Sequence, residues 1–280
     1  MTITPADGRR GGRARGVPIL MYHSLDDSGS PISMEPGLFR SQIRSLHEGG
    51  YRVLSVSALV AEWSAGGPSE GRTVALTFDD GFANVVEEGV QVLGELGFSA
   101  TIFVVAGHLG GCNDWSGQSV EIPRLPLLSA ARLRELAGSG FEVGCHSLTH
   151  PVLRSCDGSA AQREIVESKE RLEEVLGQPV RTFAYPYGVA GAAQREMVAR
   201  HYDAACGTEL RWARVTDDRW NLPRLEMYYW QRPEIRALME RRWGRMYLRG
   251  RGWGRRARVA LEGWGLLGRT TPTTREAGTS

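Results

Sequence analysis

Cysteine and lysine are both scarce in this chain of 280 residues, and the few cysteines argue against one class of protein. The four cysteines are Cys112, Cys145, Cys156 and Cys206. They show no CxxC spacing and no paired framework, which argues against a disulfide scaffold and predicts free thiols in a reducing compartment. Lysine occurs once, at Lys169, so arginine carries almost all of the positive charge. With a net charge of only +2 and no nucleic-acid-binding motif, we expect no nucleic-acid partner.

The N-terminal stretch lacks the apolar core of a signal peptide or membrane anchor. Residues 1–15 contain several arginines instead and are predicted to form a disordered arm. A cytoplasmic location without a signal peptide is the resulting expectation. The chain also shows no internal repeat and no coiled-coil heptad run.

What is present is a regular alternation of strand-like and helix-like segments. At 280 residues and 41% hydrophobic content, the chain can bury one large core. Strand patterns lie near 17–22, 51–56, 73–78, 100–105, 141–145, 180–185 and 202–206, and helical patterns near 36–49, 57–64, 82–97, 129–138, 158–177 and 190–200. Because strand-then-helix order favours parallel strands, the sequence predicts an α/β fold.

Two adjacent acids end the most apolar of these strands. The segment 73–78 is short and β-branched, and Asp79, Asp80 and Gly81 follow it directly. Chemistry in α/β enzymes lies at the carboxyl ends of strands. Because adjacent carboxylates repel and are costly to bury without a cation, the pair indicates a divalent metal site in which one acid binds the ion and the other stays free as a base. The alternative is that either acid caps a helix beginning near Phe82.

Two histidines indicate the other ligands of such a site. Pro151 follows His150 directly and the intervening residues are poor helix formers, so His146 and His150 are predicted on a loop after the strand at 141–145. Imidazole suits zinc and related transition metals. Two neutral imidazoles and one carboxylate leave a position for water, which a metal acidifies into a nucleophile.

A third apolar strand runs into a turn at 181–188. Pro186 and Gly188 fix the backbone there, so a main-chain N–H near Tyr187 is predicted to point into the cleft as an oxyanion donor. The alternative is an aromatic-rich turn that fills the core.

In order, spacing and residue identity, these three segments resemble the motifs of the polysaccharide deacetylase, or NodB-homology, family of carbohydrate esterases. The resemblance implies a distorted (β/α) barrel, with parallel strands and outer helices, over residues 16–230. It also implies a general base at Asp79 and metal ligands at Asp80, His146 and His150.

Two positions depart from the family pattern. Many members carry an arginine in the third motif and a late histidine that acts as general acid, whereas this chain has Ala184 at the first position and no histidine after His201. The segment 17–23, however, resembles the subgroup that includes poly-N-acetylglucosamine deacetylases, in which the acid comes from the first strand. This resemblance implies His23 as the general acid.

The segment 222–225 resembles the late strand of the same subgroup and implies Arg224 as the partner of Asp79. Each residue also has a plainer interpretation. His23 could be a satisfied polar group of the core, and Arg224 a surface charge.

The loop after the strand at 100–105 adds further candidates. Trp115 is predicted to be exposed there and to stack on a sugar ring, and His108 to approach the cleft. Because side chains alternate along a strand, Cys145 is expected to point away from His146.

Together these features predict a metal-dependent hydrolase that removes the acetyl group from an N-acetylated amino sugar, whether in a polysaccharide, lipid-linked, nucleotide-linked or in a small glycoside. One divalent ion is expected, zinc by preference, with cobalt or nickel as alternatives. A carbohydrate-binding pseudoenzyme on the same barrel is the second hypothesis. A glycoside hydrolase is the third, but it needs a second acid across the scissile bond, which the adjacent Asp79 and Asp80 do not supply.

A basic and aromatic stretch follows the predicted barrel. Residues 231–268 form a predicted helical extension, and eleven arginines lie between 232 and 269. Such a stretch could contact an anionic membrane surface, and the alternative is a solvated helix packed on the barrel. Residues 269–280 are predicted to form a disordered tail.

Overall fold

The computed structural model describes residues 16–66 and 72–231. The arm at 1–15 and the basic extension and tail beyond residue 231 lie outside the described residues, so the predictions made for them stay predictions. Within the described ranges, no helix combines the length and the apolar character that crossing a membrane requires.

Strands and helices alternate through the described chain. The strands are β1 (Ile19–Tyr22), β2 (Ser24–Leu25), β3 (Ser33–Met34), β4 (Arg52–Leu54), β5 (Thr73–Phe78), β6 (Thr101–Val104), β7 (Glu142–Cys145), β8 (Thr182–Ala184), β9 (Ala204–Cys206) and β10 (Leu225–Glu226). The α-helices are α1 (Pro36–Glu48), α2 (Val56–Ser64), α3 (Gln91–Glu95), α4 (Ala130–Gly138), α5 (Gly158–Gln162), α6 (Ser168–Leu176) and α7 (Ala192–His201). π-Helical turns precede α3 and α6 at Val86–Val90 and Arg163–Glu167, and short 3-10 turns lie at Ala106–His108, Leu153–Ser155, Pro186–Gly188 and Met227–Trp230.

Eight of these strands form one parallel sheet. Its order is β10-β1-β5-β6-β7-β8-β9, with β4 paired to the first half of β5. The segment after β9 joins the two edges of this curled sheet, because Leu222 forms a parallel bridge with Cys206 while Leu225 lies opposite Leu20 of β1. This arrangement confirms the predicted α/β barrel with parallel strands and outer helices.

Apolar side chains fill both faces of the curled sheet. Ile19 and Leu20 are neighbours in β1 but belong to different core clusters, since successive side chains of a strand point to opposite faces. The inner cluster includes Ile19 and Phe103, and α2 packs on it through Val56 and Leu59. The larger outer cluster joins the sheet to the helices. The inner core therefore supports the polar groups that lie at the strand ends.

Polar side chains define where several helices begin. Ser55 accepts a hydrogen bond from the backbone N–H of Ala58 at the start of α2, and Ser129 and Asp157 accept equivalent bonds at the starts of α4 and α5. Each side chain satisfies an N–H that has no partner inside the helix. These caps explain why the predicted helix starts agree closely with the observed ones.

The main differences from the predicted elements are local. β2 and β3 were not predicted, because two residues are too short to show an alternating pattern. The helix predicted from residue 82 begins at residue 84, because Phe82 forms an antiparallel bridge with Leu127. The late strand predicted at 222–225 is regular only at Leu225–Glu226.

Gly144 in β7 is needed for the packing beneath the strand ends. A Cβ atom at this position would overlap the ring of Phe103 and lie 2.9 Å from Thr182 Oγ1. The Phe103 ring in turn lies 5.6 Å from the guanidinium of Arg224.

We expect Gly144→Ala to lower the free energy of unfolding by about 1–3 kcal/mol, because the added methyl group overpacks the inner core. Urea unfolding measures the change. Gly94→Ala is the matched control, since Gly94 is exposed in α3 and a Cβ there meets nothing within 4 Å. The control is expected to be neutral or to stabilise by up to about 1 kcal/mol. Equal effects of the two substitutions would contradict the packing argument.

Candidate active site

Three strands deliver polar residues to the same edge of the barrel. Asp79 and Asp80 follow β5, His146 follows β7, and the turn containing Tyr187 follows β8. Because the strands are parallel, their carboxyl ends lie together. His150 is brought to the same place by the loop that begins at His146, and its ring centroid lies 4.9 Å from that of His146.

Asp80, His146 and His150 form a compact group of possible metal ligands. The Oδ1 atom of Asp80 lies 3.4 Å from Nε2 of His146 and 3.3 Å from Nε2 of His150. One donor atom from each residue falls within 4.8 Å of the others, and all three residues are buried. Nδ1 of His146 donates to the carbonyl of Ala184 at 2.7 Å, so in the neutral imidazole Nε2 is the atom whose lone pair could bind a metal.

The pKa values of Asp80 and His146 indicate that added positive charge would stabilise this group. Burial alone would raise the pKa of Asp80, but hydrogen bonds from His146 and His150 hold that pKa well below its usual range. Burial would lower the pKa of His146, yet the neighbouring carboxylates raise it above its usual value. Two imidazole nitrogens and one carboxylate oxygen are the donor set that zinc and similar divalent ions accept. The residues present therefore fit a divalent metal.

Left-handed backbone is concentrated at the same place. Four non-glycine residues of the described chain have positive φ, namely Asp80 (70°), Ser147 (68°), His150 (61°) and Tyr187 (57°). Such conformations are unfavourable for residues with a Cβ and persist where the surroundings hold them. Gly81 continues the turn after Asp80, and a Cβ there would lie 2.8 Å from Val104. The backbone is thus held in an uncommon shape in order to present these side chains.

Glu164 holds the histidine loop from a distant helix. Its carboxylate accepts the backbone N–H groups of Leu148 and Thr149, both at 2.9 Å, and the Thr149 hydroxyl at 2.6 Å. The hydroxyl of Ser147 accepts the N–H of His150 at 2.9 Å. Sequence reasoning did not find Glu164, because it lies fourteen residues beyond His150 on a helical pattern that gives no sign of this contact.

Asp79 does not join the histidines but forms a buried pair with Arg224. The guanidinium donates two hydrogen bonds to the carboxylate, at 2.6 and 2.7 Å, and its Nε donates to the carbonyl of Gly207 at 2.9 Å. Arg224 is completely buried, so the surface-charge interpretation of this residue was wrong. Burial would raise the pKa of Asp79, but the charge of Arg224 brings it below its usual range. Asp79 is therefore held ionised.

His23 lies on the same face, next to a second acid. Met21 is opposite both Glu226 and Thr77 in the sheet, and side chains two residues apart share a face. His23 and Asp79 consequently point the same way, and Nδ1 of His23 lies 3.8 Å from Oε1 of Glu226. This nitrogen has no hydrogen bond in the described part of the chain, so His23 is not a fully satisfied core group. Glu226 was missed, although its position two residues after Arg224 was a usable signal.

Trp115 is buried, and the prediction that it is exposed was wrong. Only 4% of it is accessible, and its ring lies 4.4 Å from that of His150 at an angle of 33°. The loop that carries Trp115 folds back on itself through the bridge between Cys112 and Pro126, which turns the indole inward. The His108 ring also packs against this indole, edge to face, with the ring centroids 5.7 Å apart.

The turn at Pro186–Gly188 provides the exposed aromatic surface instead. Tyr187 is 44% accessible, and its ring lies 4.7 Å from that of His150. Pro186 is buried. A Cβ on Gly188 would overlap Thr208, so a larger residue does not fit at this position of the turn. On the outer side of β7, Cys145 contacts Ser168 at 3.1 Å, which confirms that it points away from the ligand group.

Fold and site together define a parallel α/β barrel with a candidate Asp-His-His metal centre at its strand ends. The family model described as polysaccharide deacetylase matches residues 66–204. The chain carries this domain and belongs to the polysaccharide deacetylase family. The finer subgroup suggested by the first strand stays a prediction.

Two curated relatives illustrate the similarity. The chitooligosaccharide deacetylase of Rhizobium leguminosarum bv. trifolii is 31% identical over 125 residues, which cover 44% of this chain and 50% of that protein. The poly-beta-1,6-N-acetyl-D-glucosamine N-deacetylase of Staphylococcus epidermidis is 27% identical over 161 residues, covering 54% and 52%. The chain thus spans about half the length of these relatives.

A solved structure supports the fold independently. The Streptococcus pyogenes deacetylase PplD, in complex with acetate, superposes with a TM-score of 0.67 at 23% identity. The alignment covers 76% of this chain and 93% of PplD. The two proteins therefore share the barrel.

The pair of Asp79 and Arg224 leads to a stability prediction. We expect Arg224→Met to lower the free energy of unfolding by about 3–5 kcal/mol, because it leaves Asp79 buried and uncompensated. Asp79→Asn combined with Arg224→Met should recover part of that loss. Chemical unfolding of the two single variants and the double variant gives the coupling between the residues.

A coupling below about 0.5 kcal/mol would contradict a direct buried pair. Arg181→Met with Asp203→Asn is the matched control, since this ion pair is exposed on both sides and bonded at 3.0 Å. Its coupling is expected to lie near or below about 1 kcal/mol.

Proposed function

We propose that this protein is a metal-dependent hydrolase that removes the acetyl group from an N-acetylated amino sugar. The observation that carries the proposal is the separation of two adjacent acids into different roles. Asp80 lies with His146 and His150, whereas Asp79 is paired with Arg224. Family membership supports the reaction class, because the two relatives are named a chitooligosaccharide deacetylase and a poly-beta-1,6-N-acetyl-D-glucosamine N-deacetylase.

Asp80 and the two histidines would hold the ion. Zinc is our preference, with cobalt or nickel as alternatives for the same ligands. When bound, such an ion polarises the acetyl carbonyl and lowers the pKa of a water molecule. The hydrogen bond from His146 to Ala184 fixes the imidazole in the tautomer that the ion requires.

Asp79 is the proposed general base. Arg224 occupies one lone pair on each carboxylate oxygen, which leaves the others able to accept a proton from the attacking water. The same two bonds fix the direction of the carboxylate, and the bond from Arg224 to Gly207 fixes the guanidinium. Arg224 is thus proposed as a positioning residue that acts through Asp79.

His23 is the proposed general acid for the departing amine. Its Nδ1 faces Glu226, so its Nε2 is the nitrogen available to a leaving group. Glu226 would orient the ring. A backbone N–H near Tyr187 is proposed to donate to the carbonyl oxygen as negative charge develops there. Tyr187 and buried Trp115 flank His150 and would shield the site from water.

Base and ligand roles can be separated by mutation. We expect Asp79→Asn to keep about one metal ion per chain while its kcat falls by roughly 10²–10⁴, because an amide cannot take the proton while the ligands Asp80, His146 and His150 stay in place. His146→Ala should lose both metal and turnover. Elemental analysis gives the metal content, and acetate release from N-acetylglucosamine oligomers gives the rate.

Asp27→Asn is the control, since Asp27 is exposed on the loop after β2 and should leave both values unchanged. Retained activity in Asp79→Asn would remove the base assignment. Bound metal without acetate release from any N-acetylated sugar would favour the carbohydrate-binding hypothesis.

If His23 is the general acid, substitutions of His23 and of Glu226 should lower kcat by different amounts. We expect His23→Gln to lower kcat about 10²-fold or more, because the amine leaves unprotonated. Glu226→Gln should lower kcat about tenfold with little change in KM or metal content, since it disturbs only the orientation of His23. Steady-state kinetics with metal analysis measures both. Loss of metal in His23→Gln would instead make this residue part of the ligand group.

A further inference from the structure

A polar cavity of about 280 Å³ adjoins the candidate active site. Arg154, Arg195, Asn221, Tyr185 and Gly188 contribute to its lining. Two of these residues connect it to the site. Gly188 directly follows Tyr187, and Arg154 follows His150 by four residues. The cavity therefore lies beside the turn that we propose contacts the acetyl carbonyl.

The charged side chains that line this cavity are all positive, and both belong to exposed arginines. Its lining contains two arginines and, among the described residues, no carboxylate. Neither Arg154 nor Arg195 makes an ion pair or a side-chain hydrogen bond within residues 16–66 and 72–231. The nearby carboxylate of Asp218 instead accepts the backbone N–H of Trp220 at 3.0 Å.

A second cavity on the surface shows the ordinary arrangement. It is lined by Arg171 together with Glu167, Glu170 and Glu174. A guanidinium in that cavity is surrounded by acids, as is common on a solvated helix face. The cavity beside the site differs in that none of the residues lining it is an acid.

The start of helix α7 contributes further positive charge to the same cavity. Arg195 is the fourth residue of this helix, whose first turn contains no acidic side chain. A helix N-terminus carries partial positive charge, so an arginine there is unfavourable unless an anion is also present. Ala190, just before the helix, also lines the cavity. The helix end and both guanidinium groups would all be stabilised by one negative group.

We infer that this cavity binds an anionic group, a phosphate or a carboxylate, that belongs to the substrate. This inference rests on the proposed function and specifies its substrate class as an N-acetylated sugar bearing a negative charge close to the acetylated residue. The volume of the cavity falls just below the roughly 300–1,000 Å³ of small-molecule sites, which suits one such group rather than a whole sugar. Arginine is the side chain best suited to either anion, because its planar fork matches both.

The test compares three substrates of the metal-loaded protein. They are the neutral methyl glycoside of N-acetylglucosamine, N-acetylglucosamine 1-phosphate, and a disaccharide of N-acetylglucosamine with a uronic acid. We expect wild-type kcat/KM to be about tenfold or more higher for at least one charged substrate than for the neutral one. The two charged substrates distinguish phosphate from carboxylate.

Arg154→Gln and Arg195→Gln should each reduce that preference about 3- to 10-fold and leave turnover of the neutral glycoside unchanged. Arg171→Gln is the matched control and should change nothing. Calorimetric titration of the same sugars into each variant measures binding separately from turnover.

The outcomes distinguish the two proposals. Charge-dependent binding that is lost in the arginine variants, without turnover of any substrate, supports the cavity and overturns the deacetylase assignment. Turnover with no preference for charge, or with a preference that survives in the double variant Arg154→Gln with Arg195→Gln, overturns the cavity and leaves the deacetylase assignment intact. Equal binding of all three sugars likewise overturns it.

Discussion

The buried ion pair between Asp79 and Arg224 is the interaction on which the rest of the site depends. Asp79 ends β5 in the middle of the sheet, while Arg224 lies on the segment that joins the two sheet edges. Closure of the barrel therefore brings Arg224 against Asp79, and this contact keeps the Asp79 carboxylate ionised. A charge pair buried as deeply as this one is costly to assemble and is retained where its geometry is needed. In this protein the geometry fixes a carboxylate beside Asp80.

The same pair explains how two adjacent acids avoid repelling each other. Asp79 is neutralised by Arg224 from the side of the barrel closure, and Asp80 turns toward His146 and His150 through a left-handed backbone. Asp80 is thereby left to bind a metal ion, and Asp79 to accept a proton. This division of roles needs both the strained turn and the barrel closure, and neither is a property of a single segment of the chain.

Local patterns were sufficient to predict most of the fold. Strand β5 and the main helices follow from apolar periodicity and from caps such as Ser55, and the ligand group follows from residue types at strand ends. The burial of Trp115, by contrast, depends on how a long loop pairs with itself, which no periodicity reveals. Glu164 and Glu226 were missed for a related reason, since each acts on a residue of another element through tertiary contact. Arg224 was predicted only through family resemblance, because nothing in its own neighbourhood indicates burial.

The most direct test of this account is the crystal structure of the zinc-loaded protein, with the ion located by anomalous scattering. The account predicts one ion bound by the Nε2 atoms of His146 and His150 and by the Asp80 carboxylate, with Asp79 outside the coordination sphere and still bonded to Arg224. An ion bound by Asp79, or one located away from these histidines, would contradict the proposed division between ligand and base.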